Sequence, residues 1–375
     1  MSLLRVLPPV SEPFCLCDAQ PAKLVPNERV RYLQSGTAAL AFALTTLAQR
    51  AKTYGAVQSD VLLPAYVCPD VLSAVLFAGL KPKLVDLAPD ACFPSIEHWA
   101  AAVDQHTLVV LTVGFLGMRD PFSPRSAGSA LPLHVEDCCQ VHPGTVQHTE
   151  DRTYVYSFGR GKPVSLLHGG AVVFPDRGAV PPLGPTSKNL ATLIFRGLAY
   201  NVLRVPAIYG WVRRLPGLHL GATVFKPLTS IESMHPGMER RLSVRVQSAD
   251  ARLRRQHALR ARLAQLAAGF PIVDLWSRHG TGTEWLLRYP LLLPNRTVRN
   301  RALAALEAKG LGASAFYAAA LANIAGVALP ADAAQATKRA QEFAERLITL
   351  PLHDAVRERD IDAMVSTLEQ TLKLS

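Results

Sequence analysis

SFGRGK, at positions 157–162, is the stretch that decides how this 375-residue chain is interpreted. It continues an apolar run that starts at Thr153 and predicts a buried strand. The two glycines then predict a loop at the carboxyl end of that strand. We expect Lys162 in this loop to be partly desolvated, which lowers the pKa of an amine and makes it a nucleophile for carbonyl groups. The residues alone leave open a solvated loop lysine, or a cation that only binds phosphate.

The spacing around Lys162 excludes two familiar phosphate-binding loops. The stretch does not fit GxxxxGK[ST], and it does not fit GxGxxG because Val164 stands where the third glycine is needed. The interpretation of Lys162 therefore depends on the segments that surround it.

The segments around Lys162 alternate between short apolar runs and helical or turn sequences. Apolar runs of this kind are typical of parallel strands covered on both faces, and they predict strands at 61–63, 81–87, 107–113, 132–135, 153–158 and 171–174. In a parallel sheet the ligand lies beyond the carboxyl ends of the strands. Asp137 follows one predicted strand, and Ser157 and Lys162 follow the next, so all three fall at that edge.

A turn followed by a helix adds a candidate anion site. Ser35, Gly36 and Thr37 precede an alanine- and leucine-rich run at 38–50 that predicts a helix. The free N–H groups and the dipole of a helix N-terminus bind phosphate, and Gly36 permits close approach. An ordinary helix cap is the alternative. Asp137 also has two interpretations, a turn residue or an acid that keeps a ring nitrogen protonated.

Helical sequences dominate after about residue 238. An arginine-rich run at 238–268 predicts one long helix that links two domains, and runs at 285–293 and 348–351 predict strands among further helices. The pattern predicts a large α/β domain at 1–240 and a smaller α+β domain at 241–375.

The chain is basic, with 40 Lys and Arg against 29 Asp and Glu, a net charge of +11 and a pI of about 9.6. Solvated helix faces of a basic protein are one interpretation, and attraction to a phosphate, a nucleotide or an acidic membrane surface is the other. We expect no nucleic-acid partner, because the sequence has no zinc-finger spacing, RNP-type aromatic motif or basic-region zipper.

The six cysteines include no CxxC pair, so we expect no structural zinc site and no other metal. Cys138 and Cys139 are adjacent, which does not suit an ordinary disulfide. The first ten residues lack the long apolar region of a signal peptide. These features predict a reducing, cytoplasmic location.

Residues 193–212 are apolar but contain Arg196, Asn201, Arg204 and Pro206. A membrane-spanning helix needs about 20 apolar residues with few charges. We therefore expect a buried or interfacial helix without stable membrane insertion. Contact with a membrane surface is the alternative.

The order of these features along the chain resembles that of the DegT/DnrJ/StrS aminotransferases. The features are the turn at 35–37, Asp137, Ser157, Lys162 and the glycine pair at 169–170. The aminotransferases of this family are fold-type I enzymes that use pyridoxal 5'-phosphate (PLP) and mostly make amino sugars on nucleotide carriers. The resemblance covers about residues 30–375. The motifs that carry it are SGTAAL at 35–40, GLKPKLVDL at 79–87, VEDCCQ at 135–140, SFGRGK at 157–162, HGGAVV at 168–173, RYPLLLP at 288–294 and ERLITLPLH at 345–353.

The resemblance implies a mainly parallel seven-stranded sheet in the large domain, and a homodimer whose active sites use both subunits. It also implies that Lys162 forms a Schiff base with PLP and that Asp137 pairs with the pyridine nitrogen. Gln140 would hydrogen-bond the phenolic oxygen. An aromatic ring usually stacks on the cofactor, and here Cys68 stands at that position with Tyr66 nearby. The implied phosphate ligands are Ser35, Gly36, Thr37 and Ser157.

The chain departs from the family around the substrate. His168 replaces the glutamate of the family's GEGG stretch. MERR at 238–241 replaces an Asn-Tyr-Arg-type motif that serves the neighbouring subunit, so Arg240 or Arg241 is the candidate contact for an anionic substrate across a dimer. Residues 183–236 match no family segment.

We expect a PLP-dependent aminotransferase that moves an amino group, with glutamate as donor, to a nucleotide-linked keto sugar for amino sugar or polysaccharide biosynthesis. Three alternatives stay open. The acceptor is a non-sugar keto compound of secondary metabolism or of lipid or polysaccharide biosynthesis. The reaction is a sugar dehydration, although relatives that dehydrate typically carry histidine in place of Lys162. Or the fold is non-catalytic and binds through its basic surface.

Overall fold

The computed structural model describes residues 5–14, 24, 29–123, 132–175, 180–213, 223–242, 249–329 and 337–374. Two sheets form within these ranges, one of seven strands from residues 30–173 and one of three strands from residues 273–351. The predicted fold class, a mainly parallel seven-stranded sheet with a smaller α+β unit, is confirmed.

The large sheet has the strand order β1-β7-β6-β5-β4-β2-β3. Neighbours from β3 across to β6 run parallel, while β7 runs antiparallel to both β6 and β1. The carboxyl ends of β5 and β6 therefore lie side by side. The strands are β1 (Val30–Leu33), β2 (Asp60–Pro64), β3 (Lys81–Val85), β4 (Thr107–Val113), β5 (Leu133–Asp137), β6 (Thr153–Ser157) and β7 (Gly170–Val173).

Helices cover both faces of this sheet, which explains its continuous apolar strands. Val109 and Leu111 of β4 point to one cluster with α1 and α2, while Val110 packs with Trp99 of α3 and Phe122 on the other face. The three helices are α1 (Gly36–Thr53), α2 (Pro69–Phe77) and α3 (Ile96–Ala102).

The small sheet is antiparallel, in the order β10-β9-β8. Its strands are β8 (Val273–Asp274), β9 (Arg288–Leu292) and β10 (Leu347–Pro351). The remaining helices are α4 (Leu190–Leu203), α5 (Pro206–Val212), α6 (Pro236–Glu239), α7 (Ala249–Gly269), α8 (Leu275–His279), α9 (Arg296–Ala308), α10 (Lys338–Arg346) and α11 (Glu358–Leu372).

Two predicted helices are corrected. The single helix predicted at 238–268 is wrong, because α6 ends at Glu239 and residues 240–242 are not helical. The segment at 193–212 forms two helices, because Pro206 disfavours a helical conformation at the preceding residue. Both helices are largely exposed, so the expectation of a buried segment is also wrong.

The N-terminal segment 5–14 contacts both halves of the chain. Arg5 Nη1 donates to Asp360 Oδ1 in α11 at 2.8 Å, and the Phe14 amide donates to Asn201 Oδ1 in α4 at 2.9 Å. The boundary between domains at residue 240 stays a prediction.

In the described part of the chain, no helix is long and apolar enough to cross a membrane. The same ranges contain no group of His, Cys, Asp and Glu placed to hold a metal ion. Cys15 and Cys17 lie outside the described residues. The cytoplasmic location stays a prediction.

Asp120 fixes the loop that follows β4 and leads to the candidate site. Its carboxylate is buried and accepts from the Phe122 amide at 2.9 Å and from Trp99 Nε1 at 3.2 Å. Burial raises the pKa of Asp120 to about 7, against the two hydrogen bonds that favour the charged form. The folded protein therefore binds this proton more tightly than the unfolded chain does.

This pKa predicts a pH-dependent stability that Asp120→Asn removes. Stability from the protonated carboxyl is complete below the unfolded pKa near 4 and is lost as the pH rises through about 7. Between pH 5 and pH 7, the wild type should lose about 2 kcal/mol of unfolding free energy relative to Asp120→Asn. Urea unfolding of both proteins at each pH measures this difference, because other groups titrate alike in both. A difference that does not change with pH would contradict the prediction.

Candidate active site

Lys162 lies in the loop that follows β6, and backbone hydrogen bonds hold this loop in place. The Phe158 amide donates to the Gly169 carbonyl at 2.9 Å, and the Leu166 amide donates to the Phe158 carbonyl at 2.8 Å. Gly161 has a φ of 72°, a conformation that favours glycine, and a Cβ there would lie 3.1 Å from Val10. The glycines therefore fix the path that presents Lys162.

The Lys162 ammonium is enclosed by acidic and thiol groups. Burial alone would lower its pKa. The pKa is nevertheless raised above its ordinary value by nearby groups, which are Cys139, Cys68, Asp137 and Asp70. The expectation that desolvation leaves Lys162 with a lowered pKa is therefore wrong. In the protein without a cofactor, Lys162 is an ammonium that faces carboxylates, and the Lys162 side chain keeps some contact with solvent.

Asp137 is the last residue of β5 and is buried. Its Oδ1 accepts from the Cys139 amide at 2.8 Å. Burial still raises the pKa of the carboxyl, although that hydrogen bond and the Lys162 charge oppose the shift. A cation placed against Asp137 therefore stabilises its charged form.

The start of α1 lies directly against the end of β6. A Cβ on Gly36 would lie 2.5 Å from the Ser157 Cβ, so this approach requires glycine. Ser35 forms an isolated parallel β-bridge with Gly169. Its Oγ accepts from the Ala38 amide at 3.1 Å, so Ser35 is the N-cap of α1. Thr37 lies in the first turn of α1 and is partly buried. The structure thus brings the predicted turn and Ser157 together.

Gln140 is held by groups from both halves of the chain. Its Oε1 accepts from the Leu116 amide at 2.9 Å, and its Nε2 donates to Tyr317 Oη at 3.1 Å. The amide nitrogen carries two protons, so one remains for another acceptor. Tyr317 was missed by the sequence analysis, since nothing local marks a tyrosine that reaches across the fold.

Tyr66 and Cys68 have different surroundings. The Tyr66 ring is 4.8 Å from the ring of Phe343 and 5.4 Å from that of Tyr317, and its hydroxyl donates to the Tyr317 carbonyl at 2.9 Å. Cys68 is close to Lys162, and burial raises the pKa of its thiol to about 11. Tyr66 therefore supports Tyr317 within an aromatic cluster. Which group stacks on the cofactor stays a prediction.

The three candidate substrate residues lie apart from the group around Lys162 in the described contacts. His168 is buried, its Nε2 has no described partner, and burial lowers its pKa to about 4 with help from His235 and Lys188. Arg241 Nη1 donates to the Gly237 carbonyl, and Arg240 is exposed at the end of α6. Roles for these residues across a dimer stay predictions.

The donor set fits PLP. The N-terminus of α1 beside Ser157 suits a phosphate, and the buried carboxylate of Asp137 suits a protonated ring nitrogen. Lys162 supplies an amine for the aldehyde, and Gln140 has a proton for the phenolic oxygen. These four functions are gathered at the carboxyl ends of β5 and β6, as expected for a parallel sheet.

Comparison with solved structures supports the fold. A sugar aminotransferase, Spr1654 from Streptococcus pneumoniae in its PLP form, is 16% identical with a TM-score of 0.64, covering 99% of this chain and 93% of its own. The sugar aminotransferase CalS13 from Micromonospora echinospora is 21% identical with a TM-score of 0.63, covering 92% and 88%. GDP-4-keto-6-deoxy-D-mannose-3-dehydratase from E coli, with hydrated PLP, is 15% identical with a TM-score of 0.65, covering 92% and 89%.

The sequence model of the DegT/DnrJ/EryC1/StrS aminotransferase family matches residues 20–180 and 242–369. The match spans most of the chain and includes Asp137, Gln140, Ser157 and Lys162. The segment 181–241, which holds α4 to α6, lies outside it. The chain therefore belongs to the DegT/DnrJ/EryC1/StrS aminotransferase family and is a PLP-dependent aminotransferase.

Proposed function

We propose that this aminotransferase transfers an amino group from glutamate to a keto sugar, and that the sugar is nucleotide-linked. The observation that carries the proposal is the grouping of Lys162, Asp137 and the α1 N-terminus at one edge of the sheet. The sugar as acceptor is supported by family membership and by the names of the solved structures that share the fold.

Bound PLP supplies an aldehyde for the amines and a ring that accepts electrons from the donor Cα. Lys162 would hold the cofactor covalently through its amine, which an amino donor would free. The freed Lys162 amine then moves a proton from the donor Cα to the cofactor C4'. Because the pKa of Lys162 is raised, its ammonium must lose a proton before the amine can attach to the aldehyde.

Asp137 and Gln140 hold the two polar edges of the cofactor ring in this proposal. Asp137 would keep the ring nitrogen protonated, because burial raises the pKa of this carboxyl and a cation beside it offsets that shift. Gln140 donates to the phenolic oxygen while its other contacts, to Leu116 and Tyr317, fix its orientation. Ser157 and the first N–H groups of α1 hold the phosphate.

The acceptor side has a second candidate, a non-sugar keto compound. The observation in its favour is that residues 181–241 lie outside the family match and that His168 leaves a buried nitrogen without a described partner. We propose His168, Arg240 and Arg241 as substrate contacts, with the two arginines reaching the neighbouring subunit of a homodimer.

A substrate screen separates these candidates. PLP-loaded enzyme is converted with glutamate, desalted and offered nucleotide-linked keto sugars, free keto sugars and non-sugar keto acids. Mass spectrometry follows the amino products, and 2-oxoglutarate is measured in parallel. Stoichiometric 2-oxoglutarate with an amino sugar supports the proposal. An amino product from non-sugar acceptors alone favours the second candidate, and a dehydrated sugar without 2-oxoglutarate rejects both.

Removing the lysine tests its role directly. Lys162→Ala should lower transamination by about 10³-fold or more, because the variant loses both the covalent anchor and the group that moves the proton. The glutamate half-reaction, followed by cofactor absorbance, measures this loss. Lys52→Ala, at an exposed lysine on α1, is the matched control and should behave as wild type. Full activity of Lys162→Ala would reject the assignment.

Neutralising the buried acid tests the second role. Asp137→Asn keeps the size of the side chain but cannot stabilise a protonated ring nitrogen, so kcat should fall by about 10²–10³-fold. Glu97→Gln, which removes one exposed carboxylate from α3, serves as the charge-matched control. Equal kcat values for Asp137→Asn and the wild type would show that the carboxylate does not face the ring.

A further inference from the structure

The helices α4 and α5 present a continuous row of apolar side chains to solvent. Phe195 is 72% exposed and Trp211 is 65% exposed. Residues 195, 198 and 202 recur at helical spacing, so they share one face of α4. We call this set the apolar patch: Phe195, Leu198, Val202, Leu203, Val205, Ile208 and Trp211.

The opposite side of α4 faces the protein, and it carries polar anchors beside apolar contacts such as the buried Leu193. Asn201 exchanges two hydrogen bonds with the backbone of Phe14, at 2.9 and 2.7 Å. Arg204 Nη1 donates to the Ser11 carbonyl at 2.9 Å and to Asp354 Oδ1 at 3.2 Å. Gly197 lets the Phe14 ring pack against α4, since a Cβ there would lie 2.2 Å from it. The helices are thus anchored through one side, while the apolar patch faces outward, where an ordinary surface helix carries polar residues.

Within residues 180–213, every charged side chain is basic, and these side chains are Lys188, Arg196, Arg204 and Arg213. Two of them are paired with acids from outside the segment, Arg204 with Asp354 and Arg213 with Glu307. Lys188 and Arg196 are exposed, and Arg196 lies next to Phe195. The whole chain adds a net charge of +11. An apolar face with basic residues beside it suits a surface that has an apolar interior beneath a layer of anionic groups.

We propose that the apolar patch docks this enzyme onto the surface of an anionic phospholipid bilayer. α4 and α5 would lie in the interface, because α4 has 14 residues and is too short to cross. The segment lies outside the residues that the family model matches. A second copy of this chain is less suited to cover the patch. Packing two patches against each other would bring the Arg196 side chains of two strongly basic chains close to like charges.

Trp211 makes the docking directly observable. All four tryptophans lie in described ranges, and Trp99, Trp276 and Trp285 are buried, so a change in the emission of exposed tryptophan reports on Trp211. The full-length PLP-loaded protein is mixed with vesicles of phosphatidylcholine, with and without phosphatidylglycerol. We expect a blue shift and co-sedimentation with the phosphatidylglycerol vesicles, both weakened by added salt.

Three exposed-site variants test the patch, and one double variant serves as control. Phe195→Ser combined with Trp211→Ser should weaken vesicle partitioning by about a hundredfold. Arg196→Glu should weaken it by about tenfold. Trp211→Phe should still bind while losing the blue shift. Tyr54→Ser with Val57→Ser removes two apolar side chains that are each 90% exposed elsewhere, and it should bind as wild type.

Retained PLP absorbance and an unchanged melting temperature show that each variant is folded. Equal binding of wild type and the Phe195→Ser, Trp211→Ser variant would overturn the proposal, as would equal binding to vesicles without phosphatidylglycerol. If the wild type binds no vesicles and that double variant turns a dimer into a monomer on size exclusion, the patch is a subunit contact and the proposal is wrong.

Discussion

The site depends on one electrostatic constraint, an amine and a carboxylate that share a space from which water is largely excluded. Isolated charges in such a space are unfavourable. Burial raises the pKa of Asp137 and the Lys162 charge opposes this shift, while Cys139, Cys68 and Asp137 raise the pKa of Lys162 against its burial. Their proximity follows from the sheet, because β5 and β6 are parallel neighbours with Asp137 opposite Val155. A single change of strand order would separate the acid from the lysine loop. We propose that Asp137 would pair with the ring nitrogen of a bound cofactor and that the Lys162 amine would then be free to react.

The smaller α+β unit completes the site with Tyr317. Its hydroxyl accepts from Gln140, and its backbone amide and carbonyl both contact the Tyr66 hydroxyl. The ring of Phe343 in α10 lies 4.8 Å from that of Tyr66, so the cluster joins residues from the segment after β2, the 311–320 loop and α10. Contacts between the halves therefore orient Gln140, the side chain that we propose donates to the phenolic oxygen of the cofactor. This links the packing of the aromatic cluster to the chemistry of the ring.

Local patterns in the sequence predicted most of the large sheet and the residues at its carboxyl edge. Asp137, Ser157 and Lys162 each follow an apolar run within a few residues, so the parallel-sheet rule located them. Tyr317 escaped because its contacts with Gln140 and Tyr66 are far away in sequence. The raised pKa of Lys162 escaped for the same reason, since Cys68 and Asp70 come from the start of α2. The break at Pro206 was visible in the sequence, whereas the outward orientation of Phe195 and Trp211 depends on how Asn201 and Arg204 anchor α4.

Family membership, the fold and the grouped donor set converge on a cofactor held by one lysine. Peptide mapping after borohydride reduction of the PLP-loaded protein tests this most directly, because reduction fixes the cofactor to the amine that binds it. The account predicts a phosphopyridoxyl group on the peptide that contains Lys162 and on no other lysine peptide. A modification at another lysine, or cofactor that is released unmodified after reduction, would contradict it.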